Sequence, residues 1–206
     1  MDSKQEYFDS VAQSWDGFGA PPEAESKREL FVLRATQHQP TRILDAGCGT
    51  GILVPTIRRA CPQASLIELD LSPAMLTVNR EKHGCHKTDY LCDALEASAL
   101  SPQSFDLILC FNAIPHFDIP KALERSSQLL KPKGRIAIGH LMSSGELNSF
   151  HSALPAPVSQ DHLPSAIQLS QSLSGLGLSI LDCEEHSGWY FVLAQMPDPL
   201  GRVPSI

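Results

Sequence analysis

LDAGCGTG, residues 44–51, places three glycines at alternate positions directly behind a leucine and an aspartate. Without a Cβ, Gly47, Gly49 and Gly51 can take turns closed to other residues and let the backbone come very close to a ligand. The residues before this stretch form a short β-rich run, RILDA, and helix-length sequence follows it, so the loop joins a strand to a helix. Cofactor loops of doubly wound sheets sit at that junction. Further runs, SLIELD, TDYLC, FDLILCF and GRIAIGHL, alternate with helix-length stretches. Strands alternating with helices predict an α/β fold with a parallel sheet.

The flanks complete this pattern. Two helices are expected at 4–15 and 23–38, the second carrying Leu30, Leu33 and Arg34 behind Pro21 and Pro22. Ser72 followed by Pro73 is an N-cap with proline at the first helical position. Asp118 can cap a helix through KALERSSQLL that Pro132 and Gly134 end, with Pro120 harmless in its first turn. Residues 142–165 are rich in Ser, Pro and His, and a helix ending in GLG follows. LSILDCEE and GWYFVLAQ, joined by HSG, read as an antiparallel hairpin. The expected organisation is one domain over 1–206: a helical lid at 1–40, a cofactor-binding core at 41–141, an acceptor-side insertion at 142–165, and a C-terminal helix and hairpin at 166–206.

Composition narrows the class of function. The chain has 206 residues, 42% apolar and 19% charged, which suits one soluble globular domain. A formal charge of −7 argues against a phosphate-backbone partner, because nucleic-acid binding rests on clustered Lys and Arg. The start, MDSKQEYFDS, lacks the apolar stretch of a secretory signal, and no run is long enough to span a membrane. A cytoplasmic location is expected, with reduced thiols, since the six cysteines form no C-x-x-C pair. HGCH at 83–86 is too compact to present converging metal ligands, and no metal is assigned there.

The loop itself selects among cofactors. A dinucleotide fingerprint needs G-x-G-x-x-G, but the sixth position is Ile52; a phosphate-binding G-x-x-x-x-G-K is absent as well. With its D-x-G-x-G-x-G loop, the chain resembles the class I S-adenosylmethionine-dependent methyltransferases over roughly residues 7–195. That resemblance implies a doubly wound, seven-stranded, mostly parallel sheet with an antiparallel C-terminal hairpin, and S-adenosyl-L-methionine as cofactor. By the same resemblance Asp45, Gly47, Cys48, Gly49 and Gly51 surround the methionine part of the cofactor. Asp70, with Leu71 beside it, receives the ribose hydroxyls. Asp70 is preferred to Glu68 because strands alternate faces and Asp70 directly precedes the cap of the next helix. Asp93 and Ala94 meet the adenine, while Asn112, Ala113 and His116 face the sulfur end.

The acceptor is expected to be a small organic molecule. Amino-methylation of nucleic acid is disfavoured, since Asn112-Ala113-Ile114-Pro115 stands where such enzymes carry an Asn/Asp/Ser-Pro-Pro-aromatic tetrad. The opening YFDSVAQSWD resembles the start of the ubiquinone and menaquinone biosynthesis methyltransferases, which makes Tyr7, Phe8 and Trp15 candidate lid residues. His116 and His140 follow strands whose ends border the acceptor site, so both are candidate bases near neutral pH. His116, His140, His151 and Asp161 could alternatively bind a metal, although their separations match no ligand signature. A non-catalytic sensor of the same cofactor, and a nicotinamide-dependent oxidoreductase, are the other readings, and a monomer and a homodimer are both compatible with the sequence.

Overall fold

Side chains on successive strand residues leave opposite faces. In the computed structural model, which describes residues 3–17 and 22–198, that alternation builds two cores on one sheet. β1 (Arg42–Ala46) sends Ile43 to one face and Leu44 to the other, and β4 (Phe105–Phe111) divides Leu107 and Leu109 from Ile108 and Cys110. On the first face these pack against Phe31 and Val32 of α2 (Ala24–Thr36) and Ile57 of α3 (Val54–Ala60). On the second they meet Leu123 and Leu129 of α5 (Ile119–Leu129) and Leu169 of α7 (Ala166–Gly175). Helices therefore cover both faces, as a parallel sheet requires.

The remaining elements are α1 (Ser3–Val11), β2 (Ser65–Asp70), α4 (Pro73–His83), β3 (Thr88–Cys92), β5 (Leu130–His140), α6 (Ser144–Ser152), β6 (Ser179–His186) and β7 (Trp189–Gln195). Sheet order is β3-β2-β1-β4-β5-β7-β6, with β7 antiparallel to both of its neighbours and the other pairs parallel. Order reverses at β1, so the crevice at the carboxyl ends of β1 and β4 is the natural ligand position.

The expected caps are present: Ser72 Oγ accepts from Met75 N at 3.1 Å, and Asp118 Oδ1 accepts from Lys121 N at 3.4 Å. The first helix is shorter than expected, because α1 gives way to a 3-10 turn at Ala12–Gly17. Pro21, read as a helix start, lies outside the described residues. Helix α5 stops at Leu129, before Pro132. Leu130 already pairs with Phe105, and the register shift before Leu107, with Lys133 at φ +63°, absorbs Pro132 within the strand. Residues 142–165 contain α6, whose start is a capping box: Ser143 Oγ accepts from Glu146 N, and Glu146 Oε2 from Ser143 N. The C-terminal hairpin forms as expected, but β7 lies inside the sheet between β5 and β6, which explains why Trp189 to Ala194 are buried without a break.

Candidate active site

Four strand tips converge on one cavity of about 730 Å³. The glycine loop is tied to the neighbouring strand by Gly47 N and Cys48 N, which donate to Leu69 O at 2.8 and 3.1 Å. Gly47 has φ +72°, and a Cβ there would stand 2.5 Å from the Ala113 Cβ; any other residue would be strained and would push the loop off the β4 tip. Gly49 N donates to Asp70 Oδ2 at 2.8 Å, and Ser72 N donates to Asp70 Oδ1 at 2.9 Å. Burial pushes the Asp70 carboxyl up, against the opposing pull of these backbone donors. Beside it, Asp93 N donates to Asp70 O at 3.2 Å and Ala94 N to Asp93 Oδ1 at 2.9 Å. Asn112 is held at φ +55° by Asn112 N to Gly139 O and Leu141 N to Asn112 Oδ1.

Of the residues expected at the cofactor, Gly47, Cys48, Gly49 and Asp70 line the cavity. So do Leu71, Asp93, Ala94 and Asn112. Asp45 and Gly51 do not, for reasons of strand parity and packing. Asp45 shares its strand face with Ile43 and is 2% exposed, paired in register with Glu68, which is 0% exposed. Gly51 at φ +81° instead fits against α4, where a Cβ would collide with Asn79 Oδ1 at 2.3 Å. Behind the loop, Asn79 Nδ2 donates to Glu68 Oε2 at 2.6 Å, whereas Asp45 Oδ2 and Glu68 Oε1 have no partner among the described residues. Burial pushes Glu68 up to about 7, and burial with the Glu68 and Asp70 charges pushes Asp45 well above its ordinary value. The alternation argument against Glu68 is corrected: residues 68 and 70 have the same parity, and Glu68 is excluded from the cavity by depth.

The other end of the cavity is built from distant parts of the chain. His116 lines it, in a 3-10 turn after β4, and its Nδ1 lies 2.6 Å from Asp161 Oδ2. A carboxylate only accepts, so Nδ1 carries the proton and Nε2 is the basic nitrogen. Lys4 Nζ of α1 pairs with Asp161 Oδ1 at 2.6 Å and donates to His116 O at 2.8 Å. Burial would raise Asp161, but hydrogen bonds from His116 and Lys4 outweigh it and hold the carboxyl below its ordinary value. Phe8 stands edge-on to the His116 ring at 5.1 Å and to Trp15 at 5.7 Å. Phe8 and Trp15 line the cavity, as expected of lid residues; Tyr7 packs on Phe8 instead. Asp9 fastens this segment to the start of α4 by accepting from Ser72 Oγ at 2.5 Å and Ala74 N at 3.2 Å.

His140 is not on the wall. It shares the strand face of Ile136 and Ile138, which turns its ring into the core at 8% exposure, where Nδ1 accepts from Met142 N at 3.0 Å. Burial, then the neighbouring His116 and His151, push it down to about 3. It stays neutral near pH 7, behind the cavity. His151 Nδ1 bonds to the Asp161 backbone carbonyl at 3.0 Å, and among the described residues no group of three or more His, Cys, Asp or Glu is placed to hold a metal ion. Sequence reasoning missed Lys4 entirely and knew Asp161 only as a possible metal ligand. A contact across 112 residues, from Lys4 to His116, leaves no local signal.

Residues 43–134 match the family model described as a methyltransferase domain. Over that stretch, which is less than half of the chain, the sequence has the pattern of a methyltransferase domain. Its relatives include the malonyl-[acyl-carrier protein] O-methyltransferase of Dechloromonas aromatica, 33% identical over 145 residues, covering 66% of this chain and 52% of that protein. A ubiquinone biosynthesis O-methyltransferase of Xanthomonas euvesicatoria is 31% identical over 148 residues, covering 68% and 61%. The chain spans about half the length of the curated relatives it matches. Among solved structures, the N-methyltransferase NodS from Bradyrhizobium japonicum, in complex with S-adenosyl-L-homocysteine, has a TM-score of 0.75 at 13% identity, covering 96% of this chain and 100% of that one. That likeness shows the fold. The cavity side of the glycine loop is open: above Gly49 the nearest atom to an added Cβ is Trp15 Nε1 at 3.8 Å, which leaves room for a ligand against the bare backbone. No described helix is long and apolar enough to cross a membrane.

Proposed function

We propose that this protein transfers a methyl group from S-adenosylmethionine to a small organic acceptor, an oxygen nucleophile first among them, with His116 as the general base. The observation that carries the reading is the His116–Asp161 pair, 2.6 Å apart, on the wall of the cavity that the glycine loop borders. When bound, the cofactor supplies an electrophilic methyl group and leaves as a neutral thioether. The loop residues Gly47, Cys48 and Gly49 hold its methionine part, Asp70 takes the ribose hydroxyls, and Asp93 with Ala94 takes the adenine. Leu71 packs on the ring, and Asn112 stands toward the sulfur. Asp45 and Gly51 support this loop from behind. The acceptor's hydroxyl proton goes to His116 Nε2 as its oxygen attacks, and Asp161 stabilises the imidazolium that results.

Two further points support an oxygen acceptor. The two relatives named above are O-methyltransferases by name. A hydroxyl must shed a proton to become a strong nucleophile, which gives an oriented imidazole something to do. The formal net charge of −7 agrees with a cytoplasmic small-molecule enzyme. The test is calorimetry with S-adenosylhomocysteine, followed by release of that product from S-adenosylmethionine with a panel of phenols, thiols and amines. Binding with turnover of a hydroxyl class supports the reading. Absence of binding by folded protein overturns it.

A further inference from the structure

Lys4 and Phe8 bring α1 to this end of the cavity, and Lys4 touches both members of the His116–Asp161 pair. Its ammonium is 2.6 Å from Asp161 Oδ1, while His116 Nδ1 is 2.6 Å from Asp161 Oδ2, so a single carboxylate with a 4% exposed side chain serves two nitrogen partners. The second Lys4 bond, to His116 O, fixes the ammonium over the same turn. No residue of α1 is fully buried: Phe8 and Val11 pack at the edge of the Ala12, Met75 and Val78 cluster, and two polar latches, Lys4 on Asp161 and Asp9 on Ser72 and Ala74, hold the helix beside them. A helix with no fully buried residue opens at lower cost than one that fills a core.

We propose that Lys4 is a positioning residue that couples docking of α1 to the readiness of His116. With α1 docked, the ammonium shares the charge of Asp161, so less of it is left to favour a second proton on the imidazole. With α1 away, the carboxylate charge falls on His116 alone and favours the imidazolium, which cannot act as a base. Closure over the bound ligands thus arms the base, and an open cavity disarms it. Other titratable groups face His116 from their own elements: His151 from α6, His140 from β5 and Asp70 from β2. None of these belongs to the moving segment. The inference rests on the assignment of His116 as the base, but its first test does not need an acceptor.

The experiment is nitrogen NMR of the His116 ring across pH 5–9, in full-length protein saturated with S-adenosylhomocysteine. In Lys4→Met the protonated ring should persist about one pH unit higher than in the wild type, the size expected for removing a unit charge a few ångströms away. Lys4→Arg should restore the wild-type midpoint. On an Asp161→Asn background, Lys4→Met should lose more than half of its shift, because the coupling runs through that carboxylate. An unchanged midpoint in Lys4→Met, or a full shift without Asp161, overturns the proposal. Turnover then separates the two claims: His116→Gln with undiminished turnover removes the base, while a base that matters together with an unmoved midpoint removes only Lys4.

Discussion

The two ends of the cavity are made in opposite ways. At the cofactor end each contact joins neighbours in the sheet: Gly49 to Asp70 at 2.8 Å, Asp93 to Asp70 at 3.2 Å, Ser72 to Asp70 at 2.9 Å. At the acceptor end the pairs are Lys4 with Asp161 and His116 with Asp161, drawn from α1, a 3-10 turn after β4 and the segment before α7. Backbone donors and rigid strand tips preorganise the first end before any ligand arrives. The second is assembled from side chains on elements far apart in the chain. One fold can therefore keep a constant cofactor cradle and vary its chemistry at the other wall.

Substitutions can test this division. The largest effect is expected for His116→Gln, with turnover falling by about 10²–10⁴-fold while calorimetric affinity for S-adenosylhomocysteine stays within about twofold. A matching loss of affinity would mean that the two ends are not separable. Asp70→Asn should do the converse, weakening that affinity by about 10–100-fold through loss of charge-assisted bonds. If affinity holds, the ribose assignment is wrong and the cradle is less dependent on its acid than its geometry implies.

A third substitution addresses the rigidity of the cradle. Glu68 is raised by burial from its ordinary 4.5 to about 7, so its folded form holds the proton more tightly than the unfolded chain does. Its contribution to stability is then fully present below about pH 4.5 and is lost as pH rises through 7. Glu68→Gln should abolish this loss, raising urea stability at pH 8 relative to the wild type by an amount on the order of 2 kcal/mol, with little change at pH 4.5. Equal slopes in both proteins would show that Glu68 does not hold the proton. The smallest effect belongs to the acceptor side, where Glu185 accepts from Ser144 N at 2.8 Å and Ala166 N at 2.7 Å, the first residues of α6 and α7. Glu185→Gln should cost about 1 kcal/mol in urea unfolding and slow turnover more than it weakens cofactor binding. A drop in affinity alone would place this carboxylate's influence at the wrong end.

Most of the cofactor end was legible from the chain. The glycine spacing, the Ser72-Pro73 cap and the acids closing β2 and β3 are local patterns whose geometry follows from a few adjacent residues. Asp45 and Gly51, expected at the cofactor, do not line the cavity, the first because of its depth and face in the sheet and the second because it packs against Asn79 of α4. Asp45 and Glu68 lie too far back from the tip to reach the cavity, and face each other instead. The capping box at Ser143 and Glu146 was readable, yet the surrounding Ser and Pro hid α6. At the acceptor end, His116 could be named but its partner could not. His140 looked equivalent in sequence, and only its strand face, shared with Ile136 and Ile138, removes it from the wall.

By itself the sequence determined the α/β layering, the strand-loop-helix cradle and the acids at its rim, because hydrophobic period and glycine spacing act over a few residues at a time. Only the tertiary structure decided that β7 enters between β5 and β6, that Asp45 lies outside the cavity, and that Lys4, His116 and Asp161 meet. Those outcomes depend on which buried faces and charges find each other between separate elements, from 45 residues apart for His116 and Asp161 to 112 for Lys4 and His116. The free energy of such encounters is a property of the packed molecule, and no local pattern in the chain encodes it.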